Sequence, residues 1–413
     1  MSIPPLLAAG IAFALAFIIG KITHRVKITS IVGFIITGII LGPSVLKIVE
    51  LTPTITQELE LLTKLALGFV AFIIGGELTL DLLKKTGKKI IGITIGESVI
   101  TFFVVLAGIY ILSTLFCNNT ALLNCTLPVA IIFAAMAPAS APAGTVAVIH
   151  EYKAKGKLTD TILAIVGFDD GAAIIIYTFA IAFVGTLISK TVNPTDLIIS
   201  AFWEITGAFL IGGAVGITFG YIFTKLINKE ELLALTITSI LLTSGLALFL
   251  NASLILSCMI LGIVTINLFP QSNKPVFDHI KSISLPIYMV FFLIAGIKLK
   301  IDILLTLGTI GMILVITYVL SRITGKICGS YISALLSKSD PIIRKNLGLG
   351  ILSQAGVAIG LSLLASHKLS QMGMPETGGL VVAIIATTTI IFEIIGPIFA
   401  RIALIRSGET QVK

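Results

Sequence analysis

The sequence predicts an all-α polytopic membrane protein of about thirteen transmembrane helices, built as inverted repeats around two interrupted helices. Three observations predict it. Of 413 residues, 56% are hydrophobic and 12% charged, with a mean hydropathy of +1.11, against roughly 25% charged and 45–50% apolar in soluble domains. Apolar runs long enough to cross a bilayer recur along the whole chain. Two of these runs, seven spans apart, are broken in the middle by Pro or Gly. The composition excludes a water-soluble enzyme, a nucleic-acid binder and a disordered chain. The runs are continuous and do not alternate apolar with polar, which excludes a transmembrane barrel. The net charge of +8 then belongs to basic loops, not to nucleic-acid binding.

The thirteen spans are read at 5–21, 28–46, 60–82, 89–116, 127–149, 159–186, 198–225, 231–249, 253–268, 283–298, 305–336, 346–366 and 377–404. The first has no basic region ahead of it and no cleavage signature before Lys21, so it is kept as a span and not as a signal peptide. Lys and Arg set the orientation. Of the 28, 20 fall in one set of alternate connections and the C-terminal tail, six on the other side, and Arg322 and Lys326 inside a span. The positive-inside rule places the N-terminus outside and the C-terminus in the cytoplasm. With about nine residues after the last span, no soluble domain is expected. Four cysteines, Cys117, Cys125, Cys258 and Cys328, show no metal-ligand spacing; Cys117 and Cys125 share a short loop and are read as free thiols ahead of a disulfide.

The intramembrane acids are Asp169, Asp170, Glu204, Glu393 and, nearer the cytoplasmic side, Glu77 and Glu97. A charge at the bilayer centre costs about 2.5–3.5 kcal/mol even on insertion scales, so such residues mark ion or proton pathways. Asp169 lies about ten residues into span 6, roughly 15 Å deep at 1.5 Å per residue and close to the midplane. A carboxylate withdrawn from water beside a like charge holds a proton more readily, and can exchange it for a monovalent cation. The weaker reading is a polar pair closing a buried hydrogen-bond network. Among basic residues, Lys326 lies at the depth of Asp169 and is the first choice of partner. Arg322, one turn further out, is the second, and reads equally well as an anchor that binds backbone carbonyls. A desolvated lysine can also release a proton, as arginine effectively cannot.

Span 5 contains Ala137-Pro138-Ala139-Ser140-Ala141-Pro142-Ala143-Gly144-Thr145, and span 12 contains Gly348-Leu349-Gly350-Ile351-Leu352-Ser353-Gln354-Ala355-Gly356. Proline removes ladder hydrogen bonds and breaks a helix. Paired interruptions in the two halves of a membrane protein point to a transporter with inverted repeats. Unwound backbone is tolerated there only where protein or a cavity shields it from lipid. Ser140, Thr145, Ser353 and Gln354 flank the breaks and can cap or coordinate.

These residues resemble the monovalent cation:proton antiporter superfamily, the sodium/proton exchanger fold, along essentially the whole chain. The resemblance rests on Gly38-Ile39-Ile40-Leu41-Gly42-Pro43-Ser44, Phe72-Ile73-Ile74-Gly75-Gly76-Glu77-Leu78, Phe168-Asp169-Asp170-Gly171 and Gly325-Lys326-Ile327-Cys328-Gly329-Ser330-Tyr331. It implies an antiporter, not an enzyme, with no cofactor, that exchanges Na⁺ (or Li⁺ or K⁺) for H⁺ by alternating access. The Asp-Asp pair resembles the electrogenic branch, which makes Asp170 the Na⁺-binding carboxylate, Asp169 its neighbour and Lys326 the ion-pair partner. Ser140 and Thr145 are further ion ligands, because the side-chain oxygen many relatives carry at 142–143 is replaced by Pro142-Ala143. Glu393, Glu77 and Gln354 are candidate tuning residues, with Glu393 equally a helix anchor. The resemblance also implies crossed broken helices, a single transporter unit over 1–413, a dimerisation part (1–82 and 231–298), a core transport part (89–225 and 305–404), a homodimer and a place in the plasma membrane. The rivals are a potassium/proton efflux antiporter and a passive cation channel.

Overall fold

A computed structural model describes residues 5–25, 30–43, 45–46, 48, 53–116, 126–141, 145–146, 148–149, 152–188, 194–225, 228–268, 276–277, 279–280, 283–298, 308–354 and 356–410. These form fourteen α-helices: α1 (Pro5–Arg25), α2 (Ser30–Leu41), α3 (Pro53–Glu77), α4 (Leu80–Phe116), α5 (Thr126–Met136), α6 (Lys157–Ile188), α7 (Pro194–Phe223), α8 (Lys229–Phe249), α9 (Leu254–Leu268), α10 (Ser284–Lys298), α11 (Thr309–Leu336), α12 (Pro341–Gly350), α13 (Gly356–Gln371) and α14 (Pro375–Ser407). No strand occurs among the described residues. Seven helices are long and apolar enough to cross a membrane, and five shorter apolar helices accompany them. With α12 and α13 as the two halves of one interrupted span, the helices account for the thirteen runs read from the sequence.

Several helices, among them α3, α7, α8, α12 and α14, start earlier than hydropathy indicates, because their first turns are polar. α3, α12 and α14 begin on Pro53, Pro341 and Pro375, where proline's missing N–H and fixed φ suit the first helical position. Asp340 caps α12 by accepting from Ile342 N at 3.3 Å, a favoured N-cap arrangement. In α4 the helix bends at Gly87, whose φ of 71° is open to glycine at little cost. The predicted span 89–116 is the part beyond that bend.

The chain divides into two compact units. One contains Met1–Glu50, Thr86–Lys190 and Ala295–Lys413; the other contains Leu51–Lys85 and Thr191–Ile294. This grouping places residues 1–50 with the Asp169 helix and residues 198–225 in the other unit, so it is drawn differently from the dimerisation and transport parts expected above.

In the second unit, α9 packs against α3 and α7. A Cβ at Gly75 would strike the Met259 backbone, one at Gly262 the Phe72 backbone, and one at Gly212 the Ser257 carbonyl, so small residues let the helices approach backbone to backbone. Phe72 and Phe277 stack with centroids 4.8 Å apart. Cys258 is a buried free thiol here, and in the first unit Cys328 is an exposed one; Cys117 and Cys125 lie outside the described residues.

In the first unit, α5 and α12 pack on α6, α12 on α11 and α14, and α13 on α14. An apolar cluster that includes Ile93, Leu158, Ile162, Ile165, Leu347, Ile351 and Leu404 joins α4, α6, α12 and α14.

Candidate ion site

The site begins with a backbone problem. α5 stops at Met136, one residue before Ala137-Pro138, and residues 139–141 are irregular; α12 stops at Gly350, and α13 resumes at Gly356. Both breaks are buried, with Ala137, Ala139, Ala141, Leu352 and Ser353 all at 4% exposure or less. Their carbonyls need donors, because a buried unpaired peptide group costs about as much as a lost hydrogen bond.

The donors come from the opposite break and from α11. Ser140 Oγ donates to Ile351 O at 2.9 Å, Thr145 Oγ1 to Gly350 O at 3.1 Å, and Ala141 N to Ser353 O at 3.0 Å. Gln354 Nε2 donates to Met136 O at 3.3 Å and to Tyr318 Oη at 3.0 Å. Arg322 spans both breaks: its Nε donates to Ala137 O at 2.9 Å, Nη1 to Leu352 O at 2.7 Å, and Nη2 to Ala139 O at 2.7 Å and Ser353 O at 3.4 Å. The Phe392 ring of α14 lies 4.3 Å from its guanidinium carbon, a cation–π contact. The two interruptions therefore cross, and a fully buried guanidinium holds the crossing. Of the two readings of Arg322, the carbonyl anchor is the one its contacts describe.

One turn along α11, Lys326 reaches the acids. Its Nζ lies 3.2 Å from Asp169 Oδ2 and 3.0 Å from Glu97 Oε1, with all three side chains at 0% exposure. It also donates to Ser140 Oγ at 2.8 Å and to Pro138 O. Two carboxylates and two neutral oxygens thus surround an ammonium that has three protons to give. Asp169 Oδ1 has no hydrogen-bond partner among the described residues. Asp170, the next residue on α6, keeps 5% of its surface exposed.

Glu97 is a neighbour of Lys326 that the sequence does not single out: it is one of the intramembrane acids, with no role assigned. It sits on α4, where Thr101 Oγ1 donates to its Oε1 at 2.9 Å. The sequence signals were the Glu97/Thr101 spacing of four and the small residues on α11. A Cβ at Gly325 would come within 2.9 Å of Thr101 Cα, and one at Gly329 within 2.9 Å of Glu97 O. Those glycines let α11 lie close enough to α4 for Lys326 to meet Glu97. Glu393 is 1% exposed on α14, next to Phe392. The Glu77 side chain lies outside the described residues.

A sequence profile described as "Sodium/hydrogen exchanger, transmembrane" matches residues 11–403. The chain belongs to the sodium/hydrogen exchanger family. A family member is a transporter and not an enzyme, it needs no cofactor, and the ions are its substrates. Two solved structures are similar to this exchanger-family chain along its whole length. The sodium proton antiporter MjNhaP1 from Methanocaldococcus jannaschii at pH 8 has 17% identity, a TM-score of 0.76, and covers 97% of this chain and 98% of its own. An electron-microscopy structure of the same antiporter has 19% identity, a TM-score of 0.74, and covers 100% of both chains. At such identities the likeness shows the fold, a multi-pass membrane architecture. None of the curated protein sequences compared matches the chain.

Proposed function

We propose that this exchanger-family chain is a secondary active antiporter that exchanges Na⁺ (or Li⁺ or K⁺) for H⁺ by alternating access, with cation and proton competing for the Asp169–Asp170 pair. The observation that carries the reading is the buried ion pair between Asp169 and Lys326 at the crossing of two interrupted helices. Dry carboxylates at such a place are expensive, and marking an ion path is their usual role in membranes.

Asp170 is the cation-binding carboxylate and Asp169 its partner. Ser140 and Thr145 spend their protons on Ile351 O and Gly350 O, which leaves their oxygens as acceptors, that of Ser140 shared with Lys326. Competition makes transport pH-dependent: at low pH a proton occupies Asp170 and the cation leaves. Exchange is electrogenic, in keeping with the Asp-Asp resemblance and with a basic partner on Asp169. Glu393, Glu77 and Gln354 tune the site. The chain works as a homodimer in the plasma membrane, N-terminus outside and C-terminus in the cytoplasm, with 1–82 and 231–298 as scaffold and 89–225 and 305–404 as the moving transport part.

Purified protein in liposomes tests this. A Na⁺ gradient should drive proton movement in the wild type, and Asp170→Asn should abolish it. Undiminished Na⁺-driven proton movement in Asp170→Asn overturns the assignment. Exchange rates that ignore an imposed membrane potential overturn the electrogenic part alone.

A further inference from the structure

We propose that Glu97 is a positioning residue of the transport cycle: it is the second seat of Lys326, which keeps the ammonium charged and in place when Asp169 is taken by a proton or a cation. This rests on the antiport reading above and deepens it.

The geometry gives the reason. Lys326 Nζ stands between two carboxylate oxygens, Glu97 Oε1 at 3.0 Å and Asp169 Oδ2 at 3.2 Å, in a place where none of the three side chains is exposed. Asp169 belongs to the pair that must load and unload ions. Each time it does so its hold on Lys326 weakens. Breaking a buried ion pair by removing one partner is strongly unfavourable, because it leaves an uncompensated charge. With Asp169 as its sole carboxylate, Lys326 would be left without a counter-charge at each exchange. Glu97 removes that conflict. It is held on α4 by Thr101 at 2.9 Å and has Ser98 Oγ 3.5 Å from its other oxygen, so it stays fixed while Asp169 exchanges partners. Lys326 remains an ammonium throughout, and the exchanged protons travel on the Asp carboxyls, each leaving as H⁺ to water when the cation enters. Among the described residues, the other buried ionisable groups on the surrounding elements are Asp170 and Tyr177 on α6, Arg322 and Tyr318 on α11, and Glu393 on α14. Arg322 is committed to four backbone carbonyls and does not substitute for the ammonium.

The test compares Na⁺-driven proton movement across pH in liposomes holding the wild type, Glu97→Gln, Lys326→Gln and the double variant. Glu97→Gln should cut the maximal rate at least tenfold and move the alkaline limb of the pH profile toward neutrality, because Lys326 then has no carboxylate beside it whenever Asp169 is occupied. The double variant should regain rate relative to Glu97→Gln, since no stranded ammonium remains. A wild-type rate and profile in Glu97→Gln, or purely additive losses in the double variant, overturns the proposal. If Glu97→Gln does not reach the membrane, Thr101→Val frees the Glu97 carboxylate more gently; the same shift in smaller measure supports the proposal, and an unmoved profile overturns it. Absence of coupled transport in the wild type would instead defeat the antiport reading itself.

Discussion

Helix α6 carries charge chemistry at two places, and they obey different physics. At Asp169, roughly 18 Å along the helix from Lys157 at 1.5 Å per residue, every side chain of the cluster is fully buried. At its N-terminus, Lys157 pairs with Asp340 at 3.1 Å while its side chain stays 79% exposed. Both are acid–base contacts of nearly the same length. In the interior a removed partner strands a charge that water cannot reach, whereas at the surface water takes its place. Interior contacts therefore hold the fold and the mechanism together, and surface contacts trim the ends of helices.

The largest effect should come from Arg322. Arg322→Leu removes four donations and orphans buried carbonyls from both breaks, each worth about 1–3 kcal/mol. Their sum approaches the whole stability of a domain, about 5–15 kcal/mol. The variant should be lost from the membrane fraction or melt far below the wild type in detergent. Melting within a few degrees of the wild type would mean that the crossing holds without its guanidinium.

The N-terminus of α6 offers the intermediate case. Leu158 N, Thr159 N and Thr159 Oγ1 all donate, each at 2.8 Å, to the carboxylate of Glu409, about 250 residues away in sequence. Lys155 N donates to the Glu409 carbonyl at 3.0 Å. Glu409, two residues past the end of α14, thus caps the helix that bears the Asp pair. Glu409→Ala should cost about 0.5–2 kcal/mol, the range for losing an N-cap, and lower the melting temperature measurably without abolishing folding. A loss as large as that of Arg322→Leu would erase the contrast between the two places.

The sequence made some of this legible and hid the rest for physical reasons. The spans were readable because apolar length is a property of consecutive residues. The meeting of Asp169 and Lys326 was readable because two charges at equal depth in oil need each other. Arg322 stayed open between partner and anchor, since its acceptors are carbonyls whose positions depend on where two breaks cross. Glu97 was visible as an acid but not as a neighbour of Lys326; that depends on how closely α11 approaches α4, which Gly325 and Gly329 set in three dimensions. Glu409 was invisible, because nothing local ties a tail residue to a helix start far back in the chain.

Asp340 should give the smallest effect, and the one with a defined pH dependence. Its carboxyl is held below the ordinary aspartate value by the hydrogen bond from Lys157 and, next, by that from Ile342 N. A carboxyl depressed in the folded state contributes stability above its unfolded value of 3.8, and that contribution fades as pH falls through the folded value. Asp340→Asn should therefore melt slightly below the wild type at pH 7, and the gap should close as pH drops into the acid range below 4. Exposed pairs of this kind are worth little and are screened by salt, so added salt should shrink the pH 7 gap too. A gap that persisted unchanged at acid pH, or that survived high salt, would show that Asp340 acts through packing and not through charge. The surface end of α6 would then follow the same rules as its buried centre.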